Sequence, residues 1–434
     1  MLIKAKKFQE VSEGAEIEIR GRVLGKRDFG KIKFFDVRDE SGRIQVMVDE
    51  KTSISAESSA GPVALGDIIG IRGRVMKTHT GQKSLGATSC LIYTRCLSPL
   101  PDLREGVSNH IKYNERALDL LTSDDALARF QKINGAVSSI RSFLYGRGYQ
   151  EVDTGILQRT GDSAPAGGFE THCIALKRNL FLRKSKEQRM KQLLVGGLEK
   201  IFEIGKSFRN CQITRKYHPE INGLELYHSY SDWEGMLGLT KDLLNMLNES
   251  WEVPESKPHI SKRVNFYDIL NGAYGLDCRS ASLESIASLI PEKRRRAYSS
   301  DDYGRAFALM DLAGQAIEMR KSENLVLMGV PKQISVLSAT HKEEPSLAQE
   351  FRYFVKGVSF CYGNTELTDV KEQEKRIADQ AHHERKAVDF DNDPFLKMMR
   401  LGLPPTGGLG IGLDRLFMIY TGRDSVKDVI YYPL

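Results

Sequence analysis

Between residues 15 and 50, apolar and polar side chains alternate almost one for one through IEIRGRVLGKR, KIKFFDVRD and RIQVMV. A period of two is the mark of strands with one face buried. A Ser41-Gly42 turn separates the second run from the third. A second set follows: DIIGIRGRVMKT, a turn region at Gly81-Gln82, then SLGATSCLIYTRCLSPL. About five short strands in so short a stretch leave open edges that must be hidden, and a small barrel closed on itself hides them all.

The texture then changes. Residues 98–106, SPLPDLREG, are rich in proline and charge and read as a break. This divides the chain into a barrel domain over 1–100, a linker over 101–106 and a larger domain over 107–434. In the larger part, Ser123 caps a helix predicted over 123–147. Strand-like runs follow, among them YQEVDTGI, NLFLRKS, KIFEIGKSFRN, LELYHSYSD, ENLVLMG and RYFVKGVSFCYG. Helical segments at 184–196 and 370–388 interrupt them, and residues 240–340 read as mostly helical packing. Strands with hairpin-like spacing between helices predict an α+β fold with a largely antiparallel sheet.

Charge narrows the function. Residues 1–100 hold 17 Lys and Arg against 12 Asp and Glu, whereas the chain as a whole carries only +6. A mildly basic small domain on a near-neutral body suggests a polyanion-binding module beside a catalytic one. Hydrophobic residues at 41% and charged residues at 28% exclude a disordered or fibrous chain. No apolar run approaches the ~20 residues of a bilayer crossing, so no membrane partner is expected. The N-terminus, MLIKAKKFQEVSEG, has no apolar signal region. The cysteines at 90, 96, 173, 211, 278 and 361 show no CxxC spacing, which favours a reducing cytoplasm over a disulfide or zinc framework.

Several separated blocks, in order, resemble the class II aminoacyl-tRNA synthetases, and the lysyl type most closely. GYQEVDTGILQ at 148–158 looks like the helix–strand block that builds the family's dimer interface, which implies a homodimer. FETHCIALKRNLFLRKSKEQRMKQLLVGGLEKIFEIGKSFRN at 169–210 resembles the substrate strand, helix and second motif. There Arg209 matches an arginine that neutralises the amino-acid carboxylate and the α-phosphate, and Glu187 an acid that holds the α-amino group. Glu225 and Tyr227 match lysine-pocket residues, and Glu366, in FVKGVSFCYGNTELTD, falls where lysyl enzymes carry a glutamate and aspartyl enzymes an arginine. A carboxylate there suits a cationic substrate side chain. GLPPTGGLGIGLDRLF resembles a complete third motif, in which Gly410 and Gly412 admit nucleotide and Arg415 contacts the γ-phosphate of ATP. GKIKFFDVRDESGRIQV resembles the family's anticodon-binding OB-fold, which implies tRNA contacts from Arg22, Lys31, Lys33, Phe34, Phe35 and Gln45. Of two adjacent strand residues, one must face the core, so either Phe34 or Phe35 is not a contact.

The same resemblance implies ATP, Mg²⁺, tRNA and lysine or a lysine-like amino acid. It also marks departures, concentrated on the ATP side. Cys211 stands where a glutamate reads adenine, Ile221 where a phenylalanine stacks on it, and Tyr217 where a histidine meets the phosphates. Ser359 replaces a metal-binding glutamate, leaving Glu366 with Ser359 as the metal positions, while Tyr362 and Asn364 replace an asparagine and a phenylalanine beside the amino acid. Gly155 replaces a proline in the interface block, which predicts a looser chain there. Two roles therefore stay open: a ligase that activates lysine with altered nucleotide contacts, or a paralogue that loads another acceptor or only binds tRNA or amino acid.

Overall fold

The computed structural model describes residues 1–56, 61–101, 107–159, 167–251, 258–259, 262–295, 298–384 and 390–434. The chain divides into two compact units, Met1–Ala128 and Arg129–Leu434.

The first unit is built on β1 (Glu16–Asp28), β2 (Ile32–Asp39), β3 (Gly42–Asp49), β4 (Ser53–Ala56), β5 (Ile68–Lys77) and β6 (Lys83–Thr94). β1 pairs with both β2 and β5, β3 follows β2, and β6 follows β5. A parallel pairing of Val46 and Met47 with Leu85 and Gly86 closes the ring, so the alternating sequence does make a closed barrel. Its core is the inward half of the alternation, including Ile17, Ile19, Val23, Phe35, Val37, Val46, Ile69, Ile71 and Leu85. The unit reaches beyond residue 100 through α1 (Asn109–Asn114) and α2 (Arg116–Thr122). Buried Arg38 donates to the carbonyls of Leu120 (2.6 Å) and Leu121 (2.9 Å) and pairs with Asp124 at 3.1 Å, which ties this segment to the barrel. Of the expected linker, residues 102–106 lie outside the described residues.

At the junction, Ser123 Oγ accepts from Ala126 N at 3.0 Å and starts α3 (Asp124–Gly146), as its sequence predicts. The second unit continues with β7 (Gln150–Glu151), β8 (Leu157–Gln158), β9 (Glu170–Cys173), β10 (Arg178–Leu182), α4 (Glu187–Val195), β11 (Lys200–Phe208), β12 (Glu220–Ser229), α5 (Trp233–Ser250) and β13 (Lys262–Asn265). It is completed by α6 (Phe266–Tyr274), α7 (Leu283–Ser288), α8 (Asp302–Met319), β14 (Asn324–Pro331), β15 (Leu347–Val355), β16 (Val358–Thr365), α9 (Val370–Glu384), α10 (Pro394–Met399), β17 (Thr406–Gly412) and α11 (Leu413–Thr421). One eight-stranded sheet, ordered β13-β14-β15-β16-β17-β12-β11-β7, carries the unit. Its centre is antiparallel and only the outermost pairs are parallel. The β15–β16 hairpin turns at Lys356-Gly357, both with positive φ (49° and 74°), the conformation that matches strand twist in a two-residue turn. The 385–388 end of the helix expected over 370–388 lies outside the described residues.

Gly155 adopts a conformation that proline cannot. Its φ is +71°, a value the proline ring cannot reach, and its N–H donates to Asp153 Oδ1 at 3.0 Å. The left-handed φ favours glycine at this position, and the Asp153 bond closes a local turn.

Candidate active site

Side chains on successive strand residues point to opposite faces. In the central strands, Leu224 and Leu226 of β12, Leu409 and Ile411 of β17 and Cys361 of β16 are buried on one face, where Thr240 of α5 lies 3.9 Å from the Cys361 sulfur. The residues between them form the other face. The register aligns that face into two rows. Glu225 lies opposite Gly410, Gly410 opposite Tyr362, and Tyr362 opposite Arg352. Tyr227 lies opposite Gly408, Gly408 opposite Asn364, and Asn364 opposite Glu350. Each row is polar at both ends with a glycine in the middle. A Cβ on Gly410 would come within 2.5 Å of the Tyr362 ring, and one on Gly408 within 2.2 Å of Glu366 Oε1. The glycines thus leave the trough that larger residues would fill.

Two cavities open over this face. The larger, about 600 Å³, is lined by Arg209, Cys211, Tyr217, Ile221, Glu225, Ser359, Tyr362, Gly410, Gly412 and Arg415, together with Lys186, Lys216, Glu350, Arg352 and Asp414. Every residue expected at ATP is therefore gathered in one place. Arg415 donates from Nη1 to the Ser359 carbonyl at 2.9 Å and stacks its guanidinium 4.9 Å from the centre of the Tyr217 ring. Ser207, opposite Ile221 on the paired strand, brings a buried hydroxyl with no hydrogen-bond partner to the same wall. Burial pushes the Glu225 carboxyl up and the Lys186 ammonium down, and their 3.6 Å separation offsets this only in part.

The smaller cavity, about 160 Å³, is lined by Glu187, Tyr227, Ser335, Ser338, Glu350, Tyr362, Asn364 and Glu366. It collects Glu187, Tyr227, Tyr362, Asn364 and Glu366 of the residues expected around an amino acid, whereas Arg209 and Glu225 line the larger cavity. Its floor holds a feature absent from the sequence-based expectation. Lys191, fully buried in α4, sits with Nζ 2.7 Å from Glu187 and 2.5 Å from Glu366. Two carboxylates thus share one internal cation, and with both ionised the cluster carries one negative charge. Burial works against the Lys191 ammonium, but the two carboxylates outweigh it and hold it charged. Burial in turn pushes the Glu366 carboxyl up to about 7, against the pull of Lys191, and Glu366 Oε2 keeps no hydrogen bond of good geometry. Tyr227, buried beside them, is raised well above the ordinary phenol by the same burial.

Glu366 and Ser359, expected to share a metal ion, line different cavities. At a nucleotide, Mg²⁺ is held by one or two protein carboxylates together with substrate phosphates and water. Ser359 offers a hydroxyl. Each carboxylate of the larger cavity already has a partner: Asp414 accepts from Asn222 N (2.9 Å) and Nδ2 (2.8 Å), Glu350 from Arg352 Nε (2.7 Å), and Glu225 faces Lys186. No cluster of three His, Cys, Asp or Glu that could hold a metal occurs among the described residues. The donor set does not fit a protein-held Mg²⁺.

A family model of the class II tRNA synthetases (D, K and N) matches residues 108–434, and one of the OB-fold nucleic acid binding domain matches residues 17–93. The chain belongs to the class II tRNA synthetases. This synthetase is 32% identical over 449 residues to the lysine–tRNA ligase of Fervidobacterium nodosum, covering 99% of this chain and 87% of that protein. It is 34% identical over 445 residues to a lysine–tRNA ligase of a Thermotoga species, at 98% and 87% coverage. It is also 34% identical over 447 residues to lysine–tRNA ligase 2 of Methanosarcina mazei, at 98% and 86% coverage.

In the synthetase's barrel the candidate tRNA contacts divide. Phe34 remains on the outside, with Phe29 edge-on at 6.0 Å and the Arg27 guanidinium 5.8 Å from its ring. Lys31 and Lys33 stand near it on β2 and in the preceding turn, facing Glu50 at 3.9 Å and Asp28 at 3.3 Å. Phe35 is core, only 2% exposed, because it faces the opposite way from Phe34. Gln45 is buried and accepts a 2.6 Å hydrogen bond from Ser84, and Arg22 donates to the Gly66 carbonyl at 2.8 Å. Phe35 and Gln45 are thus corrected from contact residues to structural ones. Phe29, exposed and unremarked in the sequence, joins Phe34 as a ring surface.

Proposed function

We propose that this synthetase is a lysine–tRNA ligase that activates lysine with ATP and passes it to tRNA. One observation carries the reading: Glu187 and Glu366, two carboxylates that share the single buried Lys191 ammonium, line a small cavity together with Tyr227, and once both are ionised they carry one more charge than Lys191 compensates. Such a pocket selects a cation and rejects a carboxylate, because a buried charge is tolerated only when paired. The lysine carboxylate attacks the α-phosphorus of ATP and displaces pyrophosphate. A ribose hydroxyl at the tRNA terminus then attacks the acyl carbon and displaces AMP. Arg209, whose planar fork matches both carboxylate and phosphate, lines the larger cavity between Glu225 and Cys211 and stabilises the charge of the first step. A protein-held Mg²⁺ has no place in this reading. The alternative, a binding protein without turnover, is not favoured, since both the amino-acid and phosphate-facing groups remain together.

Lysine binding should depend on pH. Glu366 must be ionised to accept the ammonium, and it is protonated below about 7. Lysine affinity therefore rises by about tenfold as pH increases from 6 to 8, with close to one proton released per lysine bound at pH 6 and close to none at pH 8. Calorimetry in two buffers of different ionisation enthalpy measures both. A flat profile, with no proton release, contradicts the role of Glu366.

The barrel is assigned to the tRNA. Phe34→Ala should weaken tRNA binding by ~1–3 kcal/mol, the worth of one base–aromatic stack, and leave stability unchanged. Phe35→Ala should instead unfold the barrel more easily by ~3–5 kcal/mol. Affinity should fall with added salt as phosphate counterions are released. Filter binding that shows equal effects of the two substitutions would remove Phe34 from the interface.

We further assign a homodimer in the cytoplasm. Tyr145, Ile156 and Leu157 expose apolar surface around the block expected at the interface, and all six thiols are unpaired, which suits a reducing compartment. Sedimentation should give a dimer at micromolar concentration, and a monomer there contradicts the assignment. No helix among the described residues is long and apolar enough to cross a membrane.

A further inference from the structure

We propose that Arg352, acting with Arg415 and Arg209, neutralises the nucleotide polyphosphate in place of a protein-held divalent cation. The inference rests on the nucleotide reading of the larger cavity given above. The lining of that cavity carries five cationic side chains, Lys186, Arg209, Lys216, Arg352 and Arg415, against three carboxylates, Glu225, Glu350 and Asp414. A protein that helps phosphates hold Mg²⁺ brings one or two carboxylates free to face it, and each of these three is already engaged, Asp414 by Asn222, Glu350 by Arg352 and Glu225 by Lys186. Here the position expected to donate one is Ser359, and its own carbonyl is covered by Arg415 Nη1 at 2.9 Å.

Arg352 is held ready for an anion. It projects from β15 opposite Tyr362, on the polar face of the sheet. Its Nε is anchored to Glu350 Oε1 at 2.7 Å, and the second oxygen of Glu350 is in turn bound by Ser335 and Ser338. That anchoring fixes the guanidinium plane at the cavity wall. Arg415 is fixed likewise, by the Ser359 carbonyl and the Tyr217 ring. Two oriented guanidinium groups in the lining of one cavity, with Arg209 just past the end of β11 in the same lining, suit the oxygens of a polyphosphate. The buried, unpartnered hydroxyl of Ser207 adds a polar group on the same cavity lining.

The test is calorimetry on the full chain with two probes, ATP and inorganic tripolyphosphate, each in EDTA and in excess MgCl₂. The expected result is binding of both in EDTA at least as tight as in MgCl₂. Arg352→Ala should weaken both in EDTA by about ten- to a hundredfold, the loss of a charge-assisted contact. Arg352→Lys should restore part of the affinity and guards against a merely misfolded alanine variant. Arg352→Glu combined with Ser359→Glu should make ATP binding depend on MgCl₂. The proposal is overturned if the unaltered chain binds ATP more than about tenfold tighter with MgCl₂, if neither probe binds in EDTA, or if Arg352→Ala changes nothing. Tripolyphosphate binding without any gain for ATP would keep the arginine site and refute the nucleotide reading instead.

Discussion

Glu366→Gln should lower lysine affinity by two to four decades and leave the protein folded. The glutamine keeps the shape of the side chain and removes the one negative charge that Lys191 leaves uncompensated. A substrate ammonium then enters a buried site without a partner, which costs ~3–5 kcal/mol. Lys191 retains Glu187 at 2.7 Å, so the native ion pair survives the substitution. Binding of aspartate and asparagine, which never use this carboxylate, should stay weak and unchanged. A loss of less than about tenfold in lysine affinity would mean that Glu366 serves Lys191 alone.

Lys191→Met should have the second large effect, on stability. It leaves Glu187 and Glu366 facing one another without their shared cation, and breaking a buried pair this way costs ~3–5 kcal/mol. The loss should shrink at lower pH. Glu366 already titrates near 7, above its unfolded value, and losing Lys191 raises it further. The folded state then binds more protons than the unfolded one across that interval, so stability falls as pH rises through it. Both tryptophans, Trp233 and Trp251, lie in the second unit, so fluorescence during urea unfolding reports on it directly. The variant should unfold much earlier at pH 8 and less so at pH 5.5, and adding Glu366→Gln should recover most of the difference. Equal losses at both pH values would mean that packing, not charge, explains the role of Lys191.

The barrel was legible because its pattern is local. Alternation over β1–β3 identifies strands, a turn at Ser41-Gly42 separates β2 from β3, and one at Gly81-Gln82 separates β5 from β6. Which of Phe34 and Phe35 faces inward was not legible, since either phase of a two-residue period fits two adjacent aromatics. The register decides it by placing Phe35 against Val46, whose side chain is fully buried. In the second unit, motif residues gathered as expected because they sit at strand positions of one phase, with Gly408 and Gly410 between them. Lys191 was missed for a physical reason. A glutamate and a lysine four residues apart on a helix ordinarily form an exposed pair, and nothing local says that this one is covered. Only Glu366, 175 positions later in the sequence, turns it into a buried site. Arg352 was missed because a charged residue in a strand reads as solvent-facing, whereas β15 has both faces covered and its polar face looks into a cavity.

Cys211, Ile221, Tyr217 and Ser359, read from the sequence as departures from the family's nucleotide side, all line one cavity with Arg209 and Arg415. Whether that cavity supports chemistry is the central claim, and ATP–pyrophosphate exchange over a panel of amino acids tests it most directly. The account predicts exchange with lysine, none with aspartate or asparagine, and loss of the lysine signal in Glu366→Gln. Exchange with aspartate, or none with any cationic amino acid in the presence or absence of tRNA, would contradict it.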